Sequence, residues 1–131
     1  MNKLREISLV INEVIEAAHY VRNDPGKCQR LHGHSWTINV TILGNYHPTQ
    51  GMLVNFRDVK ELIRRFDHTC LNDYFKLPTA ENLARYFALK ILRLDSENII
   101  SVKVAVAEKP DNNIAIAIVH NWRFKYEQEI H

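Results

Sequence analysis

From Ser35 to Leu43 apolar and polar side chains alternate without a break. Trp36, Ile38, Val40 and Ile42 fall on one face, and Ser35, Thr37, Asn39 and Thr41 on the other. Successive side chains of a strand point to opposite faces, so this pattern predicts a strand with one covered face. Ile7, Leu9 and Ile11 alternate with Ser8 and Asn12 in the same way, predicting a strand over Glu6–Ala18 that His19 closes, with room for an irregularity near Asn12–Glu13. From Asn55 the period changes. Phe56, Val59, Leu62, Ile63 and Phe66 recur at three- and four-residue spacing, as on a helix. Asp67 to Leu77 reads as irregular. Thr79 is a candidate N-cap for a second helix carrying Leu83, Phe87 and Ile91. Alternation then returns in Val102, Val104 and Val106, and in Ile114, Ile116 and Ile118, separated by a turn at Asp111-Asn112-Asn113. The order β-β-α-α-β-β predicts an α+β fold, with both helices on one face of an antiparallel sheet. The other face then needs cover, and the small alanines of the last strand hint at a second subunit.

The 131 residues are 46% hydrophobic and 24% charged, with 4 glycines and 4 prolines. This is an ordinary globular mix without linker or repeat, so the expectation is a single domain over residues 1–131. A formal charge of +2 gives no case for nucleic acid. No run reaches the ~18 apolar residues of a membrane span, and no signal-peptide pattern opens the chain. The expectation is a soluble, cytoplasmic protein in which Cys28 and Cys70 stay as thiols.

Seven histidines are the count that points to chemistry. His32 and His34 stand two apart at the entrance of the clearest strand, so their imidazoles share a face. His19 ends the preceding strand. If the two strands pair, His19 falls opposite the pair, and three neutral imidazoles with an open fourth position form a catalytic zinc pattern. Gly33 between them lets backbone or substrate approach closely. His47, His120 and His131 have no such constellation.

Cys28 precedes His32 by four residues and is flanked by Lys27 and Arg30, which favour a thiolate. It reads as a fourth ligand, as a base or nucleophile beside an open metal, or as an ordinary small apolar residue. Asp67-His68 is an adjacent carboxylate–imidazole pair of the kind used in proton transfer, or a solvated helix end. Glu108 ends a strand, and from its neighbours alone it reads as a surface charge beside Lys109.

Taken together, the motifs resemble one family. Ala17-Ala18-His19, Cys28-x-x-x-His32-Gly33-His34, Gly51-Met52-Leu53-Val54-Asn55-Phe56-x-Asp58-Val59-Lys60, Asp67-His68-x-x-Leu71-Asn72 and Pro78-Thr79-Ala80-Glu81-Asn82 occur in the order found in the 6-pyruvoyltetrahydropterin and 6-carboxytetrahydropterin synthases. The resemblance runs from about Ile7 to Val119. It implies the tunnelling fold, in which subunits join their sheets into a barrel as a trimer or a dimer of trimers, with sites between subunits. It implies zinc held by His19, His32 and His34, a catalytic thiol at Cys28 and a proton relay at Asp67 and His68. Glu108 would anchor a pterin ring, and the substrate implied is 7,8-dihydroneopterin triphosphate. Lys27 and Arg30 are our own candidates for its triphosphate.

The three-residue spacing between Cys28 and His32 resembles the bacterial type that forms 6-carboxytetrahydropterin, in the queuosine and deazapurine pathway, with acetaldehyde and triphosphate released. Asn55, where bacterial members often carry Asp, points toward the pyruvoyl-forming type. Two departures bear on substrate preference. Ile15-Glu16 stands where the family often has Phe-Ser, and Lys109 follows Glu108 where it often has Thr.

Overall fold

The computed structural model describes residues 5–22, 26, 29–109 and 112–124, with Lys109 described by its backbone alone. Strands β1 (Glu6–His19) and β2 (His32–Asn45) are followed by helix α1 (Phe56–Arg64), a two-residue strand β3 (Thr69–Cys70) and helix α2 (Ala80–Leu92). Strands β4 (Ile99–Lys109) and β5 (Asn112–His120) complete a sheet of order β3-β1-β2-β4-β5. All pairings are antiparallel except β1 with β3. The α+β reading stands, with a mainly antiparallel sheet and the helices α1 and α2. The expected four strands become five because the stretch after α1 returns to the edge of β1.

One face of the sheet carries the core. Ile11 and Ile15 of β1, Trp36, Ile38, Val40 and Ile42 of β2, and Val102, Val104 and Val106 of β4 are buried against Val59 and Ile63 of α1 and Leu83, Phe87 and Ile91 of α2. Both helices therefore lie on that face. Asn55 caps α1 by accepting the Arg57 N–H, and Thr79 caps α2 by accepting the Asn82 N–H. The helical spacing that reached Phe66 overshoots, since α1 stops at Arg64; Phe66 stays buried in the following turn. Among the described residues, no helix is long and apolar enough to cross a membrane.

The irregularity expected near Asn12–Glu13 does not occur. β1 pairs with β2 in unbroken register from Glu6 opposite Asn45 to His19 opposite His32. The alternation stops because Glu13 takes a core-facing position, where its carboxylate meets the Arg64 guanidinium of α1 at 3.1 Å. A buried carboxylate is tolerable with such a partner. Asn112 and Asn113, expected in a turn, begin β5. Asn113 has φ 56°, a conformation asparagine adopts more readily than most residues. The sheet reverses direction between Lys109 and Asn112, which pair with each other.

Candidate metal and proton-transfer site

The unbroken register of β1 and β2 sets His19 directly opposite His32 and Ala17 opposite His34. All three imidazoles lie on the helix-covered face, at the end of the sheet nearest the start of α2. One nitrogen from each ring can be chosen so that the three lie within 4.8 Å of one another. His19 is buried to 1% exposure, while His32 and His34 are half-buried.

What holds the rings decides which nitrogens face inward. Nδ1 of His19 lies 2.7 Å from the Pro78 carbonyl, that of His32 2.7 Å from the Arg30 carbonyl, and that of His34 2.9 Å from the Ser35 carbonyl. A carbonyl only accepts, so each Nδ1 carries the proton and each neutral ring keeps its lone pair on Nε2. Nε2 of His19 and Nε2 of His34 then face each other at 3.4 Å. Two lone pairs at that distance repel unless a cation lies between them. Ligand nitrogens about 2.05 Å from a tetrahedral ion stand ~3.3 Å apart, so the spacing fits zinc. Carbonyl-bound Nδ1 atoms also match the usual outer support of metal-binding histidines. The residues present can therefore hold a metal ion.

Trp36 forms the floor. Its indole lies against the His34 ring at 4.3 Å between centroids and edge-on to His19 at 4.7 Å, while its Nε1–H donates to the Ala17 carbonyl. Burial lowers the pKa of His19 below 6.5. The charges of His32 and His34 act in the same direction, while the Pro78 carbonyl and the Glu108 carboxylate oppose them. The neutral, metal-binding form of His19 is thereby favoured.

Glu108 is not the surface charge that its neighbours suggest. Thr37 pairs with Ala107, and the next step in that register sets Glu108 opposite Trp36, on the histidine face. It is half-buried there, and its charge is felt at His19. Asp67 and His68 form their own unit. The His68 Nδ1 lies 3.0 Å from one carboxylate oxygen of Asp67, and the other oxygen accepts the Glu16 N–H at 2.8 Å. The Glu16 N–H, and after it the His68 imidazole, hold the Asp67 carboxyl below its ordinary range. His68 is 79% exposed at φ 59°, and its N–H donates to the Glu16 carbonyl at 2.6 Å. So Glu16, noted as a departure, contributes its main chain to the pair, while its side chain accepts from the Ser35 hydroxyl. Among the described residues, no hydrogen bond, ion pair or ring contact joins Asp67–His68 to the three histidines. Arg30 is exposed, and Lys27 and Cys28 lie outside the described residues, as does the Lys109 side chain.

Sequence reasoning missed three supports. Trp36 sits two residues beyond His34 on the same strand face, so the period that paired the histidines also pointed to it. Asn72 donates to the Tyr20 carbonyl and accepts the Tyr20 N–H, clamping the main chain beside His19. The Pro78 carbonyl carries no sequence signal at all. His47, given no role, bonds to Asp95 at 2.7 Å and ties the turn after β2 to the end of α2.

A sheet with helices on one face and three converging histidines defines an α+β protein with a candidate metal site. Comparison gives its family. The family model for 6-pyruvoyl tetrahydropterin synthase matches residues 8–118, and the chain belongs to that family. It is 41% identical over 81 residues to the 6-carboxy-5,6,7,8-tetrahydropterin synthase of Bacillus subtilis, a match spanning 54% of this chain but only 56% of that relative. It is 35% identical over 113 residues to the putative 6-carboxy-5,6,7,8-tetrahydropterin synthase of Archaeoglobus fulgidus, covering 81% of this chain and 91% of that one. The solved 6-pyruvoyl tetrahydropterin synthase of Caenorhabditis elegans shares the fold, with a TM-score of 0.63 at 24% identity over 88% of this chain and 95% of that one.

Proposed function

We propose that this chain is a zinc-dependent lyase that converts 7,8-dihydroneopterin triphosphate and water to 6-carboxy-5,6,7,8-tetrahydropterin, acetaldehyde and triphosphate. In this reading it serves queuosine and deazapurine biosynthesis in the cytoplasm. The observation that carries the proposal is the convergence of three unprotonated imidazole nitrogens beside a half-buried carboxylate, in a chain of the pterin synthase family. His19, His32 and His34 hold the zinc, which supplies Lewis-acid polarisation to the hydroxyls of the substrate side chain.

The remaining roles belong to the chain itself. Glu108 accepts hydrogen bonds from the amino and ring N–H groups of the pterin. Cys28 acts as thiolate base, and Lys27 and Arg30 hold the triphosphate. Both carboxylate oxygens of Asp67 are already engaged, so Nε2 of His68 is the atom of that pair left to carry protons. Asn55 gives no reason to prefer the pyruvoyl product, because its side-chain oxygen caps α1 as an aspartate oxygen also does.

We further propose that the site is completed between copies, in a trimer or a dimer of trimers. Among the described residues, the sheet leaves β5 unpaired on one edge, and most of β1 unpaired on the other. Ile114, Ile116 and Ile118 of β5 stand more than half exposed on the helix-free face. Open edges and an apolar stripe support pairing with another copy. A cavity of about 290 Å³ lined by Met52 to Phe56 also borders Ile7 and Leu9, near the opposite end of β1 from His19. A neighbouring subunit would bring such a surface to the metal.

Metal analysis tests the ligand set. Wild-type protein should carry about one zinc per chain, and His32→Ala should lose most of it. Cys28→Ala should keep its zinc and lose turnover. Full zinc in His32→Ala would contradict the ligand assignment, and loss of zinc in Cys28→Ala would make Cys28 a fourth ligand.

A further inference from the structure

His19 differs from its two partners in what holds its ring. The carbonyls that fix His32 and His34 lie two residues and one residue away in sequence, so those rings are oriented locally. The carbonyl that fixes His19 belongs to Pro78, 59 residues away, on the turn leading into α2. The most buried member of the triad is therefore oriented by a separate element.

That turn has an unusual cap. In a capping box, the side chain of the third helical residue reaches back to the N–H of the N-cap residue. Here the third residue is Asn82 and the N-cap is Thr79. The Thr79 N–H instead donates to the Leu77 carbonyl at 2.9 Å, and the Asn82 side-chain amide donates to the same carbonyl at 2.9 Å. The helix needs only the Asn82 main-chain N–H, which Thr79 Oγ1 accepts at 3.2 Å. The side-chain bond of Asn82 is thus spent on the peptide immediately before Pro78.

We infer that Asn82 is a positioning residue for the metal centre. By anchoring Leu77–Pro78 it aims the Pro78 carbonyl at Nδ1 of His19, which keeps the proton there and the Nε2 lone pair toward the metal. The inference rests on the metal reading above, and it gives the Pro78-Thr79-Ala80-Glu81-Asn82 motif a task beyond starting a helix. Loss of a histidine's own outer partner typically costs about 10–100-fold in metal affinity, and misaiming that partner corresponds to the lower end of this range.

Two variants separate positioning from stability. Asn82→Ala removes the donor. Asn82→Glu also removes it but places a carboxylate in the first helical turn, where the helix dipole favours it, so the helix start keeps its stability. Cobalt(II), followed by its visible absorption in the metal-free protein, reports affinity without turnover. Nitrogen-15 NMR of labelled histidine reports the tautomer of His19. Both variants should bind cobalt about tenfold or more weakly than wild type and populate the Nε2–H tautomer, with Asn82→Glu melting close to wild type. Cobalt affinity within twofold of wild type in both variants would overturn the inference alone. Wild-type protein that binds no cobalt would overturn the metal reading and this inference with it.

Discussion

His19 is the residue on which the site and the fold meet. Its ring is buried with its pKa held below 6.5, first by burial. In the unfolded chain the same ring takes its ordinary value and binds a proton sooner as the pH falls. The sign follows: neutral His19 favours the fold above pH ~6.5, and that contribution is lost as the pH falls through the lower folded value. The melting temperature of metal-free protein should hold above pH ~6.5 and drop as the pH falls below it, and His19→Gln should flatten the drop. An equal drop in both proteins would place the acid sensitivity elsewhere.

The triad was legible because a strand's two-residue period fixes which side chains share a face. His32 and His34 needed no other information, and His19 needed only the pairing of its strand. Glu13 shows the limit of such patterns. A carboxylate in the alternation reads as a break, and its partner Arg64 lies 51 residues away on a helix. Glu108 was misread for the same reason, since its burial depends on a neighbouring strand rather than on Lys109. The pterin-anchoring role proposed for it rests on family resemblance alone.

Among the elements, β3 is the smallest and the hardest to foresee. Two residues carry no periodic signal, yet this segment holds Asp67–His68 against β1. It is fastened by the Asp67 carboxylate and the His68 N–H on Glu16, by the pairings of Ala17 with Thr69 and Ala18 with Cys70, and by Asn72 on both polar groups of the Tyr20 main chain. The left-handed backbone of His68 persists because bonds on both sides impose it. Asn72→Ala removes two of these bonds and should cost about 1–3 kcal/mol. Hydrogen exchange at the Tyr20 amide should quicken, while amides in the middle of β2 keep their protection. Unchanged exchange at Tyr20 would show that the clamp is not what holds the segment. The long strands and helices were legible because each carries several turns or repeats of one period. β1 ends where its alternation and His19 set it, but β2 runs beyond the alternating stretch at both ends, from His32 to Asn45.

For the molecule as a whole, the sheet has open edges among the described residues. Its covered face is complete, and its other face runs from Val10 and Val14 on β1 to Ile114, Ile116 and Ile118 on β5, all more than half exposed. Ile116→Lys puts a charge at the centre of the β5 stripe without touching the core. We expect light scattering to find wild-type protein as a trimer or hexamer and Ile116→Lys as smaller species, with zinc retained and turnover lost. A monomeric wild type with full activity would rule out a site shared between copies. Assembly was the least legible level: the alanines of β5 that hinted at a second subunit pack against the core instead, and it is Ile114, Ile116 and Ile118 that stand exposed, because alternation shows two faces without showing which one the helices cover.

The proposed function requires the three histidines, Cys28, Asp67–His68 and Glu108 to serve one reaction on one pterin. Mass spectrometry of the products formed from 7,8-dihydroneopterin triphosphate by the zinc-loaded protein decides whether they do. The expected products are 6-carboxy-5,6,7,8-tetrahydropterin, acetaldehyde and triphosphate. A pyruvoyl product would keep the site and change the reaction, while unaltered substrate in the presence of fully zinc-loaded oligomer would contradict the proposed function.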